Sequence, residues 1–293
     1  MTKAGTHRRA LPRLELVGSA IFFGLMAVLG RLLATGPAHF TPGQLSVVRF
    51  GVGAAASLAV FAVRPSLFRP RNVKLLVTRG ISGGLVVILY FSALARIPAG
   101  EAGMIYNLFP AIATLFAFYM LRERPSVRLW LAILVATLGV GLVLGNGSLQ
   151  LGLGWGEGAA LGAAVFAAVS ANVIRTMRGT DNAPTIFFFF CLAGLPVVLP
   201  FALDPWPGGL APWALAVAMA LCAFAAQVLM TEAYGSLSVG EAASWLQLTP
   251  IAQYLIAAAV LGEALTAVGL LGIGVSVAGV AWATILGRRA VVI

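Results

Sequence analysis

The stretch MIYNLFPAIATL at 104–115 returns in altered form as SWLQLTPIAQYL at 244–255. Each is an apolar run holding one amide, Asn107 or Gln247, three residues before a proline, Pro110 or Pro250. A proline inside a helix removes a backbone donor and pushes away the carbonyl four residues earlier. Those carbonyls belong to Tyr106 and Leu246. A chain that needed only apolar helices would have no use for either residue type. Their return at the same spacing points to a duplicated kink with a purpose.

The echo extends well beyond these segments. Residues 93–145 lie over 233–285 without a gap, at an offset of 140. Gly100/Gly240, Glu101/Glu241, Pro110/Pro250, Glu123/Glu263 and Gly139/Gly279 all coincide. Accidental matches of Ala and Leu are common in apolar sequence, but glutamate, proline and glutamate in register are not. Earlier in the chain, 16–31 lies over 160–175, pairing Ala20/Ala164, Phe22/Phe166 and Arg31/Arg175. The two repeats are expected over 1–147 and 148–293. Residues 1–36 resemble a secretory signal, but this counterpart argues that the segment is kept as a first span.

Of the 293 residues, 60% are hydrophobic and only 10% charged, with a mean hydropathy of +0.99. No water-soluble domain covers that much apolar surface. A hydrocarbon core takes about 20 apolar residues per helical crossing. Ten such spans are expected, near 15–35, 44–63, 75–95, 101–121, 128–145, 157–175, 184–203, 212–231, 241–261 and 267–286. The fold expected is therefore an all-α integral membrane protein of two five-helix repeats. The formal net charge of +10 suits the membrane surface rather than nucleic acid, because the basic residues cluster between apolar runs.

An odd number of spans per repeat inverts the second repeat, and the basic residues agree. Cytoplasmic loops gather Lys and Arg. Arg64, Arg69, Arg71, Lys74 and Arg79 follow span 2, and Arg122, Arg124 and Arg128 follow span 4; the corresponding loops of the second repeat have no basic residue. Conversely, 36–44 has none, whereas its counterpart carries Arg175 and Arg178. Both termini fall with the basic loops, so both are expected in the cytoplasm. Arg79 itself reads as a topology anchor. Inverted repeats suit alternating access, with the solute held near the midplane between them.

A polar amide turned toward lipid is costly, so Asn107 and Gln247 face the interior, bridging helices or holding solute. Trp245, Gln247, Gln253 and Tyr254 share span 9 with Pro250. Tyr90, Tyr106, Ser170, Asn172 and Gln227 are the other candidate lining residues. Such a mixed lining, with neither lysine nor histidine in any span, suits a small, partly apolar solute with hydrogen-bonding groups. Pro110 and Pro250 are candidate hinges. Glu101 and Glu241 complement helix N-termini, or act in gating or proton coupling. Arg49, inside span 2, snorkels, pairs with a backbone or carboxylate group, or holds a substrate carboxylate. Spans 5 and 10, with Gly139, Gly141, Gly145, Gly269, Gly272 and Gly274, read as scaffold or dimer contact, leaving a monomer or homodimer open.

Taken together, Arg49-Phe50, ALARIPAGEAGMIYNLFPAIATLFAFYMLRERPSVRLW at 93–130 and AYGSLSVGEAASWLQLTPIAQYLIAAAVLGEAL at 233–265 resemble the EamA-type branch of the drug/metabolite transporter superfamily. The resemblance covers nearly the whole chain. It implies ten helices in the cytoplasmic (inner) membrane, a cavity formed by spans 1–4 and 6–9, and alternating access. GMIYNLFP at 103–110 is distantly similar to the same stretch of aromatic amino-acid exporters, with Asn107 and Tyr106 exchanged and Phe109 in place of Trp. Export of an amino acid is the leading expectation. Carriage of a nucleoside, a vitamin or an S-adenosylmethionine-like solute is the alternative. A structural membrane protein would not need paired polar kinks. An enzyme is not expected, since HExxH, intramembrane His and paired Asp are all absent from the sequence. Primary active transport is disfavoured, because no P-loop occurs. Neither a cofactor nor a metal ion is expected.

Overall fold

The computed structural model describes residues 3–94, 96, 105–145, 154–262 and 265–287, and all regular structure among them is helical. The helices are α1 (Lys3–Thr35), α2 (Pro42–Val63), α3 (Val73–Leu94), α4 (Phe109–Met120), α5 (Val127–Gly145) and α6 (Trp155–Met177). They continue with α7 (Ala183–Val198), α8 (Leu210–Tyr234), α9 (Val239–Leu246), α10 (Leu248–Leu261) and α11 (Ala267–Gly287). Six segments are long and apolar enough to cross a membrane: Leu11–Ala34, Pro42–Val63, Val73–Tyr90, Trp155–Met177, Ala183–Phe201 and Leu210–Tyr234. Phe109–Met120, Val127–Val143 and Ala267–Ala283 are shorter apolar helices.

Helix starts follow local chemistry. Thr41 and Gln44 form a reciprocal capping box ahead of α2, with Pro42 in its first turn. Asn182 caps α7 by accepting from the Thr185 amide at 3.0 Å. Gln44 also donates at 3.0 Å to the carbonyls of Asp204 and Pro205, which ties the α1–α2 turn to the α7–α8 loop. Phe40, Trp213 and Trp206 stack in series over that junction.

The other connections meet at the opposite face. The Arg71 amide donates to Asp181 at 2.7 Å, and Asn182 donates to the Leu67 carbonyl at 2.6 Å. Arg13 reaches Glu241 there, and Glu123 reaches Arg175. Helix α11 runs antiparallel to α5, so that Ala283 packs with Leu129 and Ile133 near the same level. The start of α1 and the end of α11 thus share one face, here termed the terminal face.

Close approach of helices rests on glycines. A Cβ at Gly139 would run into the Ser276 backbone, and one at Gly279 into that of Ala136. Gly272 would meet the Gly139 carbonyl at 2.7 Å. The small-residue faces of spans 5 and 10 are therefore filled by each other within the chain, as a scaffold. On the opposite flank, Gly80, Gly83 and Gly84 of α3 let α7 pack directly against that helix.

Candidate functional site

Both kinks become helix breaks. Ile105 and Tyr106 are helical, Asn107 and Leu108 form a turn, and α4 resumes at Phe109. In the second repeat α9 stops at Leu246, Gln247 forms the turn, and α10 begins at Leu248. Each break carries a tightened bond between residues three apart: Leu108 amide to Ile105 carbonyl at 3.1 Å, and Gln247 amide to Ser244 carbonyl at 3.2 Å. Each proline enters the first turn of the resumed helix, where its missing donor costs least. Both breaks are braced by a long helix from the same position of the repeat. Gly24 of α1 approaches Gln253 and Ala252 of α10. Asn172 of α6 donates to the carbonyls of Ala113 and Ala168 at 3.0 and 2.9 Å. Ala168 is the counterpart of Gly24, and Ala113 the counterpart of Gln253.

A cationic centre lies beside the α4 break. The Arg79 guanidinium sits 4.1 Å over the Phe190 ring, and that of Arg49 lies 6.0 Å from the same ring and 6.0 Å from Phe23. The two groups are thus within about 10 Å of each other, where like charges in a poorly hydrated site repel strongly. Cys191 packs with Phe50 and Phe190, and Tyr106 and Tyr234 share a neighbouring core cluster. The Tyr106 ring packs on Tyr90 at 5.0 Å and on Phe109 at 5.6 Å. Alongside, Ser82 and Ser170 share a hydrogen bond of 2.7 Å between α3 and α6.

The expected lining residues divide into two groups. Arg49, Tyr90, Tyr106 and Ser170 come together around this centre, and Trp245 packs against the same core cluster as Tyr106. Gln247, Tyr254 and Asn172 are engaged by other partners. Gln247 is fully buried and donates to Thr137 of α5 at 2.7 Å. Tyr254 accepts from the Thr266 amide at 2.9 Å and so caps α11. Asn172 is taken up by the backbone of α4, Asn107 and Gln227 are buried, and Gln253 is exposed. Glu101 lies outside the described residues. Sequence reasoning missed Arg79, Ser82, Phe190 and Tyr234. Arg79 is only 4% exposed and turned into the bundle, so the anchor reading of it is corrected. The signal available was RGISGG at 79–84, where glycines and a serine follow the arginine, as a close helix crossing requires.

The terminal face is closed by ion pairs. Glu241 of α9 pairs with Arg13 at 2.6 Å, with both partners buried. Arg178 pairs with Glu232. Arg175 donates to the carbonyls of Tyr234 and Gly235 at 3.3 and 3.0 Å, capping the end of α8 with positive charge. Glu123 accepts from the Val239 amide at 3.2 Å, placing a carboxylate at the start of α9. Burial raises the Glu123 pKa above the usual carboxylate value, against the opposing pull of the Val239 amide and Arg175.

Broken helices beside a buried polar centre are an arrangement that membrane transporters use. The chain belongs to the EamA-like transporter family, which matches residues 14–145 and 154–285, one repeat each. It is similar to the pseudopaline exporter CntI of Pseudomonas aeruginosa, at 26% identity over 231 residues, covering 75% of this chain and 80% of the relative. The same exporter from a second strain of that species matches equally, at 26% identity. A solved crystal structure shares the fold with a TM-score of 0.78 and 22% identity, covering 96% of this chain and 99% of its own.

Proposed function

We propose that the protein is a secondary transporter that exports a small metabolite, an amino acid or a compound built from one, across the cytoplasmic membrane. In this reading the chain crosses the membrane ten times, as two inverted repeats over 1–147 and 148–293 with both termini in the cytoplasm. The solute occupies the space between them, beside Tyr90, Tyr106 and Ser170, and alternating access moves it outward. The observation that carries this reading is the pair of helix breaks at Asn107 and Gln247, each braced at an equivalent position by α6 or α1. Broken helices expose backbone polarity only where it faces protein or a cavity, and they give each repeat a point about which to bend. The similarity to a metabolite exporter supports the outward direction.

Counterflow in proteoliposomes tests the proposal. Purified protein loaded with unlabelled amino acids is expected to accumulate the matching labelled compound above empty vesicles. Nucleosides and vitamins run as parallel arms. Absence of counterflow with every class overturns the transport reading.

A further inference from the structure

Resting on that transport reading, we propose that Arg49 and Arg79 form a single anion-binding site. The solute is then a small organic anion whose carboxylate or phosphoryl oxygens the two guanidinium groups hold together.

The two arginines approach from opposite ends of the bundle. Arg49 stands seven residues beyond Pro42 at the start of α2, and Arg79 six beyond Val73 at the start of α3. At 1.5 Å per residue each lies about 10 Å from its helix end, and α2 and α3 run in opposite senses. An arginine at that depth ordinarily snorkels to the nearest interface. Arg79 does not. It lies over the Phe190 ring, and a Cβ at Gly83 would collide with its Nη1 atom. The glycine and the ring together fix the cation inside the bundle.

Neither guanidinium has a carboxylate within salt-bridge distance among the described residues, and the Nε atom of each is buried without a hydrogen-bond partner. The groups that do face them, Tyr106 and Cys191, are a phenol and a thiol rather than acids. Buried charges are ordinarily paired, and two unpaired cations near each other are a worse case than one. An anion placed between them would relieve the desolvation and the mutual repulsion together. Guanidinium forks suit planar carboxylate and tetrahedral phosphoryl oxygens alike. The aromatic walls, Phe23, Phe190, Tyr90 and Tyr106, would cover the rest of a small solute.

The test is thermal unfolding of the purified protein, titrated separately with L-glutamate, glycerol 3-phosphate and glycerol, which carries neither a carboxylate nor a phosphoryl group. The proposal expects at least one of the two anions to raise Tm well beyond glycerol. Glutamate alone identifies carboxylate recognition, and glycerol 3-phosphate alone identifies a phosphoryl group. Arg79→Gln and Arg49→Gln should each weaken the effective anion about tenfold or more, and Arg79→Lys should retain part of the response. Equal shifts from glutamate, glycerol 3-phosphate and glycerol in the wild-type protein overturn the site, whether or not the variants fold. So does an Arg79→Gln variant that folds and titrates like wild type. The transport reading fails separately. Anion-dependent stabilisation without counterflow of any solute removes transport and leaves the site, whereas neutral-solute counterflow undiminished by Arg79→Gln removes the site and leaves transport.

Discussion

Glu241 accepts two hydrogen bonds from Arg13 on one oxygen, from Nε at 3.0 Å and from Nη2 at 2.6 Å, across 228 positions of sequence. The pair joins α1 to α9 and is buried on both sides. Removing one member of a buried ion pair costs about 3–5 kcal/mol, because the other charge is stranded. Arg13→Ala should lower stability by that order. The double variant Arg13→Ala/Glu241→Ala should recover part of the loss. Chemical unfolding of the reconstituted protein measures both, and a double variant no better than the single removes the pairing argument.

The α5–α11 crossing predicts a sharp contrast between glycines. Gly139→Ala forces a methyl against the Ser276 backbone, and overpacking of this kind costs about 1–3 kcal/mol. Gly274→Ala meets nothing within 4 Å and should be neutral or slightly stabilising. Thermal unfolding of the two variants side by side gives the result, and equal melting temperatures would mean that the helices do not meet at Gly139.

Gln247 and Thr137 should couple. Their hydrogen bond of 2.7 Å is partly buried, and a net contribution of about 0.5–1.5 kcal/mol is usual for such a bond. A double-mutant cycle with Gln247→Leu and Thr137→Val measures the term directly. A coupling energy near zero would place the amide elsewhere in the working protein.

Glu123 predicts a pH dependence of definite sign. Its pKa in the folded protein lies above the usual carboxylate value because burial penalises the charged form. The folded state therefore holds this proton more tightly than the unfolded state does. The stabilisation is fully present below the unfolded value and is lost as pH rises through the folded one. Glu123→Gln cannot ionise, so it should gain stability relative to wild type as pH is raised from the acid side through that window. A stability difference that runs in the opposite direction, or stays flat, contradicts the assignment.

The breaks at Asn107 and Gln247 were legible because proline and amide chemistry is local and because the chain states it twice. The membrane class was legible for the same reason, since twenty-residue apolar runs need no tertiary information. The fate of individual polar side chains was not. Gln247 and Tyr254 lie on a plausible interior face of span 9, yet they are claimed by Thr137 and Thr266, partners set by how α5 and α11 cross. Arg79 sits within a run of basic residues that a loop would carry, and only the α3–α7 crossing turns it inward. The turn between α8 and α9 lacks basic residues of its own, and Arg175 supplies the charge from a neighbouring connection. Counting residues loop by loop misses such loans.

Gly139 meets Ser276 while Gly279 meets Ala136, and the offset of 140 carries the first pair into the second with its members swapped. A junction that maps onto itself under such an exchange is isologous, the kind made by two copies of one molecule about a dyad. A half-length ancestor bearing a single such stripe would have assembled with itself through this same surface. Fusion of the gene copies then leaves α5 and α11 as the seam, and every substitution along one of them has a twin on the other.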